Sequence, residues 1–138
     1  VFRLAKSKVM GKADGVQSME PWGEIDVPAI NKDKDKFGRI VTAMDIAPDG
    51  KGFLLLAYRN ALEFGLDLSA GPVPASLEEG KDYARVPLKD LIQQESAAYL
   101  PDASGFLYGT EFVPSKAPEQ KAPEIFLVPC LMPAPPGR

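Results

Sequence analysis

Short runs of apolar residues, separated by turn-forming residues, recur along this chain of 138 residues. The stretch Ile-Ala-Pro-Asp-Gly-Lys-Gly-Phe-Leu-Leu at 46–55 aligns with Tyr-Leu-Pro-Asp-Ala-Ser-Gly-Phe-Leu-Tyr at 99–108, at a constant offset of 53 positions. Such self-similarity indicates a repeated supersecondary unit. Because Asp and Gly between apolar runs favour a tight turn, each copy is predicted to be a β-hairpin.

The runs that flank the two hairpins predict further strands. The predicted strands are residues 41–47, 52–58, 61–67 and 83–88 in the first copy, and 95–100, 105–112 and 124–130 in the second. At the N-terminus, residues 1–4 resemble the third strand of this unit and residues 23–27 the fourth. The chain therefore reads as the end of one four-stranded unit, a complete unit, and the first three strands of another.

Four short antiparallel strands that repeat every 40 to 53 residues or so are typical of β-propeller blades. The predicted fold is all-β, an incomplete β-propeller of about two to two-and-a-half four-stranded antiparallel blades. The predicted divisions are the third and fourth strands of a preceding blade (1–30), a charged loop (31–40), a complete blade (41–90), a partial blade (91–130) and a Pro-rich tail (131–138). A β-sandwich with a chance Pro-Asp match, and a β-helix, are the alternatives.

A closed propeller needs at least about four blades, so this number of blades cannot close. We therefore expect the partner of this chain to be either the remaining N-terminal blades of the same protein or a second copy of the chain. Repeat units of this kind cannot bury their apolar faces alone.

Composition narrows the possible functions. The 14 Pro and 12 Gly residues disfavour long helices, so we expect helix to make up less than about 10% of the chain. No apolar stretch is long enough to span a membrane. The 16 Lys and Arg against 19 Asp and Glu give a net charge of −3, which argues against nucleic-acid binding. The absence of His excludes Ser-His-Asp and Cys-His catalysis and most zinc sites.

The single cysteine, Cys130, has no His partner and is predicted to be a buried structural thiol. Trp22 is predicted to serve in packing. None of the serines lies in a Gly-x-Ser-x-Gly elbow, so serine hydrolysis has no support from the sequence.

Several segments carry a resemblance to a known group of proteins. They are Val-Thr-Ala-Met-Asp-Ile-Ala-Pro-Asp-Gly-Lys at 41–51, Ala-Tyr-Arg at 57–59, Gln-Glu-Ser-Ala-Ala-Tyr at 94–99 with Pro-Asp at 101–102, and Gly-Thr-Glu at 109–111. They resemble the C-terminal half of bacterial β-propeller proteins of unassigned function, similar to TolB and YVTN-type propellers. Some of those relatives carry an esterase-like or phytase-like label. The resemblance implies several further N-terminal blades and a secreted or periplasmic location, and the chain departs from it at Ala103, where the turn glycine is absent.

A blade exposes one end of its strands at the mouth of the propeller channel, where binding residues commonly lie on loops. The residues predicted to gather there, as candidate ligand-binding residues, are Thr42, Tyr58, Arg59, Glu95 and Glu111. Glu95 and Glu111 are also candidate metal ligands, and oxygen-only ligands fit Ca²⁺ or Mg²⁺. The alternatives are an ion pair between Glu111 and Arg59, or two solvated carboxylates.

These residues are compatible with two functions from different classes. The first is a scaffold or ligand-binding module without chemistry of its own, which needs no cofactor. The second is a Ca-dependent phytase-like or esterase-like hydrolase, served by Glu95 and Glu111, whose remaining blades are absent from this chain. The sequence favours the first, because a metal-dependent hydrolase would need a denser acidic cluster than two Glu residues.

Overall fold

Strands dominate the computed structural model, which describes residues 1–4, 17–32, 36–89, 94–111 and 122–132. The strands of these ranges are β1 (Phe2–Arg3), β2 (Glu20–Pro21), β3 (Val41–Ile46), β4 (Phe53–Ala57), β5 (Asn60–Phe64), β6 (Tyr83–Pro87), β7 (Gln94–Tyr99), β8 (Gly105–Thr110) and β9 (Ile125–Pro129). The described helices are α1 (Val27–Asn31) and a 3-10 turn at Phe37–Arg39. The all-β prediction is therefore confirmed. Most of the segment between the predicted strands 105–112 and 124–130, and most of the predicted Pro-rich tail, lie outside the described residues.

The strands form three antiparallel sheets. Strands β1 and β2 pair as a short N-terminal ribbon. Strands β3, β4, β5 and β6 follow one another in a four-stranded sheet, called here the first sheet, and β7, β8 and β9 form a three-stranded second sheet. Every neighbouring pair is consecutive along the chain, which is the simplest way to connect antiparallel strands.

The inner hairpins of the two sheets repeat each other position by position. Val41 pairs with Ala57 as Gln94 pairs with Thr110, and every later pair of β3 and β4 recurs 53 residues on in β7 and β8. A β-bulge interrupts both ladders at the same place, at Thr42 and at Glu95. The repeat seen in the sequence is thus a repeat of strand register and of bulge position.

The turns between these strands also match. Gly50 N donates to Ala47 O at 2.8 Å, and Ala103 N donates to Leu100 O at 2.9 Å. Both residues adopt the left-handed conformation, with φ of 73° at Gly50 and 56° at Ala103. An alanine at this position is strained by its Cβ atom, whereas glycine adopts the conformation at little cost.

The strand predicted at residues 23–27 does not form, and the second N-terminal strand lies earlier in the chain. Residues 23–26 belong to no strand, and Val27 begins α1 instead of ending a strand. The cause is local: Asp26 Oδ1 accepts a hydrogen bond from Ala29 N at 3.1 Å, and Pro28 fits the first helical turn, where an N–H is not needed. The strand that pairs with Phe2–Arg3 is Glu20–Pro21.

The two central strands of the first sheet, β4 and β5, are covered on both faces. The outer face of the sheet presents Phe53, Leu55, Leu62, Phe64 and Tyr83 to Val27 and to the loop that follows β5. Its inner face presents Leu54, Leu56, Ala61 and Val86 to Phe106 and Tyr108 of the second sheet. Because both faces of β4 are covered, all five of its residues are buried and its apolar run is continuous.

Two carboxylates of the first sheet also bind the backbone of the second sheet and the residues that follow it. Asp45 Oδ2 accepts a hydrogen bond from Tyr99 N at 2.8 Å. Glu63 Oε2 accepts from Leu131 N at 2.7 Å and from Met132 N at 3.0 Å. Glu63 is only 3% exposed, and a carboxylate buried in this way needs such donors. These bonds fix how the second sheet is aligned along the first.

The matched turns yield a stability prediction. We expect Ala103→Gly to raise the free energy of unfolding by about 0.5–1 kcal/mol, since a left-handed non-glycine residue costs roughly 1–2 kcal/mol and the greater freedom of glycine offsets part of the gain. Gly50→Ala should lower it by a similar amount, because no atom lies within 4 Å of the added Cβ and only the backbone effect remains. Denaturant unfolding of both variants measures the two changes. Equal midpoints for both variants and the unmodified chain would contradict the prediction.

Candidate functional site

The ends of four strands bring the predicted binding residues to one end of the stacked sheets. Thr42 and Glu95 sit on the two bulges, at the starts of β3 and β7. Tyr58 and Arg59 form the two-residue connection between β4 and β5, and Glu111 directly follows β8. These five residues are called the rim from here on. The turns at Gly50 and Ala103 lie at the other end of the inner hairpins.

One contact of the rim joins the two sheets directly. The Tyr58 hydroxyl donates a hydrogen bond to Glu95 Oε1 at 3.1 Å, across 37 positions of the chain. The Phe37 ring meets the Tyr58 ring edge-on, with 6.2 Å between centroids and 82° between planes. The Thr42 hydroxyl donates to Leu56 O at 3.4 Å and so belongs to its own sheet. The rim therefore combines two carboxylates, one guanidinium and a phenol that is shared between the sheets.

The charges of the rim act on this phenol. The pKa of Tyr58 is raised above the ordinary value of 10.0, first by the hydrogen bond to Glu95, then by partial desolvation, and then by the negative charges of Glu95 and Glu111. The hydroxyl therefore stays protonated at neutral pH and acts as a donor. Since the pKa is raised on folding, the bond contributes stability below the ordinary pKa and loses it as the pH rises through the folded-state pKa.

Glu95 and Glu111 lie at the same end of one hairpin, each next to a residue of the Gln94–Thr110 pair. A calcium site needs six to eight oxygen ligands, of which these two side chains would supply only a part. In the described ranges, no group of three or more acidic or thiol side chains is arranged to hold a metal ion. The cation site, and the alternative ion pair between Glu111 and Arg59, both stay predictions.

A second cluster, which the sequence does not predict, lies at the end of the sheets that carries the hairpin turns. Glu63, Tyr99 and Cys130 line a cavity of about 40 Å³ between the two turns, with room for about one water molecule. The Cys130 thiol is only partly buried, whereas the sequence predicts a buried one. This partial burial, together with a hydrogen bond to Glu63, raises the pKa of the thiol to about 12. Burial and the nearby Glu63 carboxylate likewise raise the pKa of Tyr99. Both groups are protonated at neutral pH and are therefore weak nucleophiles, so we interpret this cluster as a packing contact between the two sheets.

In the sequence, this cluster is indicated only by Glu63, the charged residue within the otherwise apolar run Ala-Leu-Glu-Phe of β5. Glu63 pairs with Leu54 and so faces the same side as the buried apolar residues. A charged residue on the inward side of a strand predicts a partner across the interface. The sequence does not show that the partners are the backbone amides that follow β9.

Trp22 has the packing role predicted for it. Its indole N–H donates to Leu68 O at 2.8 Å, and the Arg3 guanidinium lies 3.3 Å above the centre of the ring. These contacts attach the N-terminal ribbon to the loop that covers the first sheet.

Comparison with other proteins returns no match: no family model, no curated protein and no solved structure is similar to this chain. Within the described residues, neither helix has the length and apolar character needed to cross a membrane.

The shared phenol gives a testable prediction. In Glu95→Gln the pKa of Tyr58 should fall toward 10.0, because the charged acceptor of its hydrogen bond is lost, and Glu111→Gln should cause a smaller fall. The measurement is an NMR titration of tyrosine ring carbons, with Tyr58→Phe to assign the signal. Glu20→Gln, in the N-terminal ribbon, is the matched control and should leave the pKa of Tyr58 unchanged. An unshifted titration in Glu95→Gln would show that the hydrogen bond does not form in solution.

Proposed function

We propose that this chain is a module of a β-propeller, with the first sheet as a complete blade and the second sheet as the first three strands of the next. It acts as a scaffold or ligand-binding module without chemistry of its own. The observation that carries the proposal is the repetition, at one offset, of strand register, bulge and turn in two sheets that pack face to face. A sandwich needs no such repetition, whereas blades are copies of one unit.

The rim is the proposed ligand-binding surface. It lies where the first strands of both blades begin, which is the end that would surround the mouth of the channel. Its carboxylates suit a ligand that offers positive charge or hydroxyl groups, since carboxylates accept hydrogen bonds. The Tyr58 hydroxyl gives its one proton to Glu95, so its oxygen is left to accept a further hydrogen bond from the ligand. The partner is either the remaining N-terminal blades or a second copy. The resemblance to bacterial TolB and YVTN-type propellers supports the propeller fold in this proposal, and a secreted or periplasmic location rests on that resemblance alone.

A calcium-dependent hydrolase of phytase-like or esterase-like character is the second candidate. The observation in its favour is that Gln94 pairs with Thr110, so Glu95 and Glu111, which follow them along the chain, lie at the same end of one hairpin. The remaining ligands would come from water, from backbone carbonyls or from blades outside this chain.

Calcium titration distinguishes the two candidates. For a scaffold, millimolar Ca²⁺ should leave the melting temperature of the chain and of Glu95→Gln equally unchanged, and hydrolysis of p-nitrophenyl phosphate and p-nitrophenyl acetate should stay at the uncatalysed rate. Glu20→Gln, which keeps the rim intact, controls for the loss of one negative charge. A calcium-dependent turnover that disappears in Glu95→Gln but persists in Glu20→Gln would overturn the scaffold proposal and establish the hydrolase.

A further inference from the structure

The second sheet has one apolar face that no described part of the chain covers. Its outward-facing positions, called here the rear face, are Ser96, Ala98, Leu107, Gly109, Ile125 and Leu127. Ile125 is 74% exposed and Leu127 is 62% exposed. Large aliphatic side chains side by side on a regular sheet are unusual at a free surface and indicate an interaction site.

The repeat identifies what kind of surface this is. Leu107 occupies the place in β8 that Leu54 occupies in β4, and Gly109 occupies the place of Leu56. In the first sheet this face is the one buried against the second sheet, and Leu54 and Leu56 are both 0% exposed there. The rear face is therefore the equivalent of an interface that the structure already contains.

The first sheet carries the complementary surface. Ala97 and Tyr99 of β7 pack against the inner face of the first sheet, and their equivalents in β3 are Met44 and Ile46. Met44 is 43% exposed and Ile46 is 51% exposed. Residues 25–30 and the loop that follows β5 cover the outer face of the first sheet elsewhere but leave Met44 and Ile46, called here the front strip, open.

The shape and charge of the rear face suit the front strip. A hollow of about 160 Å³ lies on the rear face between Ser96, Ala98, Leu107 and Ile125. Where the first sheet has the carboxylates of Asp45 and Glu63, the rear face has Ala98 and Leu127. A partner that docks here buries no charge, so apolar side chains such as Met and Ile are the ones that fit.

We propose that a second copy of this chain docks head-to-tail, with the front strip of one copy packed on the rear face of the other. The proposal rests on the blade character of the two sheets and identifies the partner that they require. One such interface covers both open surfaces, whereas pairing of two rear faces would leave Met44 and Ile46 exposed. Head-to-tail contacts between copies close into a ring or extend into a filament, depending on the rotation between neighbours.

Sedimentation velocity over a range of concentrations tests the proposal. The unmodified chain should form species larger than 14.9 kDa in proportions that rise with concentration. Leu127→Glu on the rear face and Ile46→Glu on the front strip should each weaken association at least about tenfold, because each places an unpaired charge in the interface. Met19→Glu, at a methionine that is 59% exposed outside both surfaces, is the control and should associate as the unmodified chain does. Far-UV circular dichroism confirms that each variant keeps its strands.

A mixture of the two defective variants gives the decisive result. The Ile46→Glu chain keeps an intact rear face and the Leu127→Glu chain keeps an intact front strip, so an equimolar mixture should form one intact interface and stop at a dimer. A monomer at all concentrations for the unmodified chain would overturn the proposal. Loss of association in Leu127→Glu alone, with Ile46→Glu unaffected, would overturn it in favour of rear-to-rear pairing.

These outcomes are separable from a failure of the proposed function. Calcium-dependent hydrolysis would overturn the scaffold and leave the association data unchanged. A strictly monomeric chain without hydrolysis would leave the blade module in place and remove only the second copy as its partner.

Discussion

The central contact of the molecule is the one in which the inner face of the first sheet packs against Phe106 and Tyr108 of the second sheet. Leu54 and Leu56 of the inner face are fully buried there. This contact holds the two sheets together, so that the rim lies at one end of the pair and the hairpin turns lie at the other. Burying a leucine or phenylalanine side chain contributes roughly 1.5–3 kcal/mol, so these apolar residues are the main source of the attraction. Burial of apolar area alone does not fix how the two sheets are aligned. The alignment is fixed by the hydrogen bonds that Glu63 accepts from two backbone amides after β9. A slip between the sheets would break these bonds and leave a buried carboxylate without partners.

The rim forms because the two sheets are aligned in this way. Tyr58 and Glu95 belong to different sheets, and they meet because the two inner hairpins have the same register and pack face to face. The same equivalence applies to the open rear face, whose positions in the second sheet correspond to those that the first sheet buries against the second. The two sheets differ in that Ala98 and Leu127 replace Asp45 and Glu63, so the contact that we propose at the rear face would depend on apolar packing and not on hydrogen bonds to buried carboxylates.

Seven strands of the two sheets could be predicted from the sequence, because apolar runs and Pro-Asp turns are local signals. The glycines that match at 52 and 105 have a physical cause: a Cβ at either place would lie 2.7 or 2.5 Å from a carbonyl oxygen of the next strand. The start of α1 at Val27 could not be predicted, because residues 23–27 alternate between apolar and polar as a strand does. The helix forms there because Asp26 caps its first turn. The contacts of Glu63 are missed because they join residues that lie 68 and 69 positions apart.

Native-state hydrogen exchange tests the coupling of the two sheets most directly. If the interface makes them one cooperative unit, the amides of Leu55 and Tyr108, which occupy equivalent places in β4 and β8, should exchange with the same free energy of opening, equal to that of global unfolding. If instead the second sheet opened several kcal/mol below the first, the sheets would be independent and the stacked-blade account would be contradicted.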